Sequence, residues 1–150
     1  MLALIREGTA DEVESCVALW TRVISARDGS QVIREVSERA HEAFHRSVLR
    51  FAVVGEGPNG FALTVMRAPS VALLSRICVD PRMMSHGVGT ALVHDAVHHA
   101  RRAGLDRLEL DVRVTNTRAT ALYERAGFVT VSEPWAFDAG DPVETWSLNL

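Results

Sequence analysis

Disulfide chemistry is all but missing from this chain of 150 residues, which carries two cysteines, Cys16 and Cys78. Two thiols make no disulfide framework, and the pattern fits a reduced, cytoplasmic protein. A basic excess is missing too. The formal net charge is −3, which gives no electrostatic footprint for nucleic acid. No polybasic run suits a membrane surface, and no apolar stretch nears the roughly 18 residues of a spanning helix. The opening MLALIREG meets charge too soon for a secretory leader and reads better as a first strand. Repeats and low-complexity linkers are absent. Tyrosine occurs once, at position 123. What is there is ordinary for a globular protein: 47% hydrophobic and 23% charged residues, over a length that suits one domain, residues 1–150.

Hydrophobic period orders the elements. Leu2 to Arg6 reads as a strand. Thr9 and Glu12 form a capping box. Val13, Val17, Trp20 and Ile24 then predict a helix to about Arg27, with Asp28-Gly29-Ser30 as a turn. Ile33, Val36, Ala40 and Phe44 predict a second helix over about 31–46. Arg50 to Val54 and Phe61 to Arg67 read as a hairpin around a glycine-rich turn, and Val71 to Val79 as a further strand. A helix from Val88 to Ala103 ends at Gly104 in the C′ position. Strand 105–114, helix 116–126, strand 128–132 and strand 144–150 complete the order β-α-α-β-β-β-α-β-α-β-β, an α+β domain.

Two segments carry chemistry. In RMMSHGVGTALV, Gly87 and Gly89 stand at the start of a helix. Glycine lets backbone N–H groups approach a ligand, and a helix N-terminus favours an anion. A plain turn that needs positive φ explains the glycines as well. The dinucleotide fingerprint fails because Leu92 replaces its third glycine, and no Gly-Lys-Ser/Thr is present. In Asn116 to Phe128, Ala119, Leu122, Tyr123 and Ala126 share one helical face, so Tyr123 points inward. A core tyrosine with a satisfied hydroxyl, and Asn116 as a plain N-cap, would fit equally.

Taken together the segments resemble the GNAT superfamily of acetyl-CoA-dependent N-acetyltransferases. Val79-Asp80-Pro81 with Gly87-Val88-Gly89 resembles the end of that family's fourth strand and its pyrophosphate loop. Asn116 to Phe128 matches N-x-x-A-x-x-L-Y-x-x-x-G-F throughout. The resemblance implies a mixed, mostly antiparallel sheet flanked by about four helices. It implies that Met84, Ser85, His86, Gly87, Val88, Gly89 and Thr90 hold the CoA pyrophosphate. It implies that the backbone of Cys78 and Val79 pairs with the pantetheine arm, that Asn116 hydrogen-bonds that arm, and that Tyr123 sits near the sulfur. Met84 departs from the family's Gln or Arg, and Ser85 from a frequent glycine, which leaves Arg82 or His86 to assist.

The implied reaction is direct attack by a primary amine on the thioester. A lysine-like amine, pKa about 10.4, must lose a proton first. The Val79 N–H is the family's usual oxyanion donor, and Tyr123 would return a proton to the leaving thiolate as general acid. The base is less defined. The fourth strand reads Ser75-Arg76-Ile77-Cys78, with no acid at the position many relatives use. Asp111, with Glu109 on the same strand face, is the substitute, acting through water; structural pairing to Arg113 or Arg118 is its other reading. The non-catalytic alternative is an acyl-CoA sensor or interaction module. His94 and His98 mimic a zinc motif, but they share a face with Arg101 and Arg102, so no metal is expected. Cys78 reads as a packed strand residue. Trp20, Trp135 and Trp146 are core or pocket wall, with Trp135 a possible acceptor wall. Glu133, Asp138, Asp141, Glu144 and Asp28 suggest a cationic amine; a small-molecule or peptide-terminal amine and a homodimer complete the expectations.

Overall fold

The computed structural model describes residues 4–28, 33–84 and 86–150. The expectations on Leu2, on the turn at Gly29 and Ser30, on the start of the second helix at Gln31, and on Ser85 lie outside those residues. β1 (Ile5–Glu7) leads to a 3-10 turn, Ala10–Glu12, and α1 (Val13–Asp28). The capping box forms as read. The Glu12 carboxylate accepts the Thr9 N–H at 3.1 Å, and the Glu12 N–H donates to the Thr9 carbonyl at 3.0 Å. Arg6 clamps the same carboxylate with bonds of 2.7 and 2.6 Å. In α2 (Ile33–Ala43) the packed face is Val36, Ala40 and Ala43. Ile33, expected inside, opens the helix beyond that face and is 60% exposed.

The rest follows the predicted order: β2 (Val48–Val54), β3 (Gly60–Ala68), β4 (Val71–Val79), α3 (Val88–Arg102), β5 (Arg107–Arg113), α4 (Thr117–Arg125), β6 (Val129–Thr130) and β7 (Val143–Asn149). Seven strands form one sheet in the order β1-β2-β3-β4-β5-β7-β6. Its pairs are antiparallel except β4 with β5, whose parallel pairing needs the α3 crossover. That pairing spans only Val71–Leu73 against Arg107–Glu109. From Leu74 onward β4 keeps β3 on one side, while its other edge is unpaired.

Each face of the sheet carries helices. The apolar stripe of α3, Val88, Leu92, Ala96 and Ala100, is buried with Leu108, Leu110 and Phe128. Each large aliphatic side chain so buried contributes about 1.5–3 kcal/mol. On the opposite face Cys16 and Leu19 of α1 meet Val53, Phe61 and Cys78. Ala43 of α2 closes over Leu63 and Val65. Gly104 and Gly127 end α3 and α4 with φ of 75° and 97°, the left-handed turn that stops a helix.

Candidate active site

The gap between β4 and β5 opens a cavity of about 860 Å³. Its walls come from both strands, from α1, from the start of α3 and from α4.

The first wall is the free edge of β4. In an antiparallel ladder successive residues turn their N–H and C=O to alternate edges. The Asp80 N–H donates to the Asn59 carbonyl at 2.8 Å, on the β3 side. Cys78, two residues earlier and opposite Phe61, faces the same way. Ile77 and Val79 therefore present their backbone groups to the cavity. This corrects the expectation for Cys78, whose backbone belongs to β3; Ile77 takes its place. Burial pushes the Cys16 and Cys78 thiols up to about 12, so neither is a nucleophile at neutral pH.

The second wall is the glycine loop. The Asp80 carboxylate accepts the Arg82 N–H at 3.0 Å and pairs with its guanidinium at 2.8 Å, while Arg22 lies at 3.6 Å. The hydrogen bonds from Arg82, helped by Arg22, hold the Asp80 carboxyl at about 2. Arg82 is thus committed to Asp80 instead of to a phosphate. Gly87 caps α3 at φ 78°, a conformation that L side chains rarely adopt. An added Cβ there would meet nothing within 4 Å, so the space over the helix end is open. Met84, Gly87, Val88, Gly89 and Thr90 line the cavity, whereas His86 does not; its Nδ1 sits 3.0 Å from the Met84 carbonyl oxygen. Backbone N–H groups of the first turn, with the helix dipole, make this end fit for an anion.

The third wall is α4. The Asn116 Oδ1 accepts the Ala119 N–H at 3.3 Å and caps the helix. The cap uses the oxygen and leaves the amide NH₂ as what Asn116 offers the cavity it lines. Tyr123 also lines the cavity, 6% exposed, its ring 6.0 Å from Phe128. Burial pushes its phenol up to about 12, so it is protonated throughout the neutral range.

Asp111 lines the cavity as well, but it is engaged. It forms an ion pair with Arg67, and the Thr145 hydroxyl donates to it at 2.8 Å. Arg67 also holds Glu109 at 2.9 Å. Arg113, one of the partners expected for Asp111, instead grips Asp138 with bonds of 2.8 and 2.7 Å. The Asp141 side chain accepts from Thr115 at 2.9 Å. Of the acids expected to meet a cationic amine, Asp138 is thus neutralised by Arg113, and Asp141 is engaged by a hydroxyl. Trp20 and Phe137 join Tyr123 as aromatic walls, and Trp135, 37% exposed, stands outside. Its indole N–H donates to the Thr145 hydroxyl at 3.2 Å.

Sequence reasoning passed over Ile77 and Arg76. A register argument finds the first. A lone charge within the apolar strand VALLSRICV flags the second. His94 and His98 are exposed on α3, and among the described residues no group of three His, Cys, Asp or Glu could hold a metal ion. No helix among them is long and apolar enough to cross a membrane.

Known proteins share this fold. The mycothiol acetyltransferase of Beutenbergia cavernae is 30% identical over 130 residues, 83% of this chain and 44% of that protein. The [ribosomal protein bS18]-alanine N-acetyltransferase of Escherichia coli strain K12 is 40% identical over 57 residues, 38% of either chain. The match thus spans less than half the length of either relative. The solved structure of the ribosomal-protein-S18-alanine N-acetyltransferase from Escherichia coli superposes with a TM-score of 0.77 at 20% identity, over 99% of this chain and 94% of that one. The structure of yncA from Salmonella typhimurium, solved with its cofactor acetyl-CoA, does so at 0.75 and 14%, over 99% and 94%. Both share the fold of a mostly antiparallel open sheet with four helices. Residues 17–128 match the model of the acetyltransferase (GNAT) family, and the chain belongs to that family.

Proposed function

We infer that the protein is an acetyl-CoA-dependent N-acetyltransferase that acts on a primary amine by direct attack, within one domain. The observation that carries this reading is the free edge of β4, which runs from Ile77 to Val79 toward the open N-terminus of α3 with Tyr123 opposite. An extended amide-bearing arm can add to that edge as a strand does. Its phosphates would meet the first-turn N–H groups of α3, and the Asn116 amide would hold the arm.

Bound acetyl-CoA supplies an acyl group activated as a thioester. The Val79 N–H points to the cavity and donates to the carbonyl oxygen as charge develops there. Tyr123 holds its proton and gives it to the departing sulfur. Asp111, which the Arg67 guanidinium and the Thr145 hydroxyl hold in place, takes the amine's proton through water. The burial of both thiols, with their raised pKa, supports direct attack over transfer through a cysteine.

The test is thiol release from acetyl-CoA, measured with and without amine acceptors. Release should depend on the acceptor. Tyr123→Phe should lower kcat by about 10²-fold or more, the usual range for a general acid, at nearly unchanged KM for acetyl-CoA. Full turnover in that variant would remove the general-acid role. Binding of CoA with no turnover on any amine would favour the sensor reading.

A further inference from the structure

Arg76 has no part in the reaction just described, yet a local irregularity of the fold turns it into the cavity. The register between β3 and β4 slips beside it. Leu63 pairs with Arg76 and Thr64 with Leu74, which leaves Ser75 as an extra residue. A bulge re-aims the side chains that follow it. Before the bulge Ala72 and Leu74 face the core under α3; after it Cys78 packs with Cys16 and Leu19 of α1. Arg76 shares the face of Cys78 by the two-residue period of a strand. Its guanidinium lies 5.1 Å from the Trp20 ring and lines the cavity. In a regular strand it would point into the apolar core instead.

Among the described residues no carboxylate pairs with this cation. Its Nη1 donates to the Ser75 carbonyl at 2.8 Å and to the Ser75 hydroxyl at 3.2 Å, and its Nε is buried with no partner. The nearby charges that act on it, Arg39 and Arg46, are both repulsive. Burial, with these two, lowers its pKa to about 10, so it remains a cation at neutral pH. Among the described residues that line the cavity the one acid is Asp111, which is already paired with Arg67. The phosphate end of the cavity, at the N-terminus of α3, lies on the other face of the sheet from Arg76. A buried unpaired charge is costly, and a guanidinium is best satisfied by the planar two-oxygen group of a carboxylate. Trp20 beside it is apolar, and Val23, Val36 and Phe137 add further apolar wall to the same cavity.

We propose that Arg76 binds the carboxylate of the acceptor, so that the substrate is a small amino acid with an aliphatic or aromatic side chain. The proposal rests on the amine-acetylation reading and names its acceptor class. It reverses the charge expected from the acidic residues of the last loop.

The experiment compares leucine and phenylalanine with their amides, and β-alanine with γ-aminobutyrate to vary the spacing. Thiol release and tryptophan emission are both followed, in the wild type, Arg76→Met and Arg76→Lys. The free amino acids should exceed their amides at least tenfold in kcat/KM. Arg76→Met should collapse that ratio toward one by raising KM for the carboxylates, and Arg76→Lys should keep part of it. Arg76→Met should also melt higher than the wild type, since it removes an uncompensated charge. Amides equal to the acids, or a ratio untouched in Arg76→Met, would overturn the proposal. A lower melting point together with an untouched ratio would assign Arg76 a purely structural role. Absence of thiol release with every acceptor would sink the transferase reading, and the anchor would then be judged by emission alone. A carboxylate-dependent change that Arg76→Met loses would uphold it, and no such change would overturn it.

Discussion

Glu12 joins two tasks at the entrance to α1. It completes the capping box with Thr9, and it ties the helix to β1 through Arg6. Its carboxyl is held at about 2, chiefly by the hydrogen bonds from Arg6. The sign follows from linkage. A carboxyl depressed on folding contributes stability that is fully present above its ordinary pKa and fades as pH falls toward the folded value. Glu12→Gln should therefore lower the melting temperature at pH 7, and its deficit should shrink between about pH 4.5 and pH 2. Melting curves of both proteins across that range check this; a constant deficit would rule out the ion pair as its source. Residues of this local kind were legible in the sequence. Thr9 with Glu12, and Asn116 with Tyr123, lie three to seven positions apart on one element, where spacing alone fixes their geometry. Arg76 stood out as a lone charge in an apolar strand, but its direction was not legible, because it depends on a bulge that only the pairing of two strands defines.

At the scale of elements, β4 was read with its observed limits, Val71–Val79, and α3 within one residue of them. Strong periods and clear stops, Asp80-Pro81 and Gly104, account for that. β6 was drawn too long, at 128–132, and forms only Val129–Thr130. The apolar run misled there: Phe128 is buried in the core, while Val129 is 61% exposed on the edge. The alternation along β4 makes a prediction of its own. The amides of Ile77 and Val79 face the cavity, and that of Cys78 is paired with β3. Hydrogen exchange should be fast at Ile77 and Val79 in the free protein and slow once CoA is bound, with Cys78 protected in both states. Equal protection of all three without ligand would contradict strand addition at this edge.

The whole molecule places its cavity between two part-sheets, β1 to β4 on one side and β5 to β7 on the other. A ligand in that gap contacts both, so its binding energy should appear as folding stability. At a CoA concentration one hundred times its Kd the gain is about 2.7 kcal/mol. For a chain of this size that corresponds to about 5–10 °C in melting temperature. A scan with and without CoA checks it, and no shift at saturation would count against the cavity as the CoA site. Composition bears on such assays too. All 16 basic residues are arginine, so the chain offers no lysine amine for self-acetylation. The order of elements was legible at this scale, because each has its own period. The splay was not, because it appears only where two strands distant in sequence stop pairing.

The brevity of that pairing also has a mechanical meaning. Three parallel residue pairs join β4 to β5, whereas eight join β3 to β4 and seven join β5 to β7. Under a force that pulls the two part-sheets apart, rupture should begin at this seam, with α3 left as the tether across it. A molecule seated in the slot would then act as a splint, raising the load at which the seam gives way.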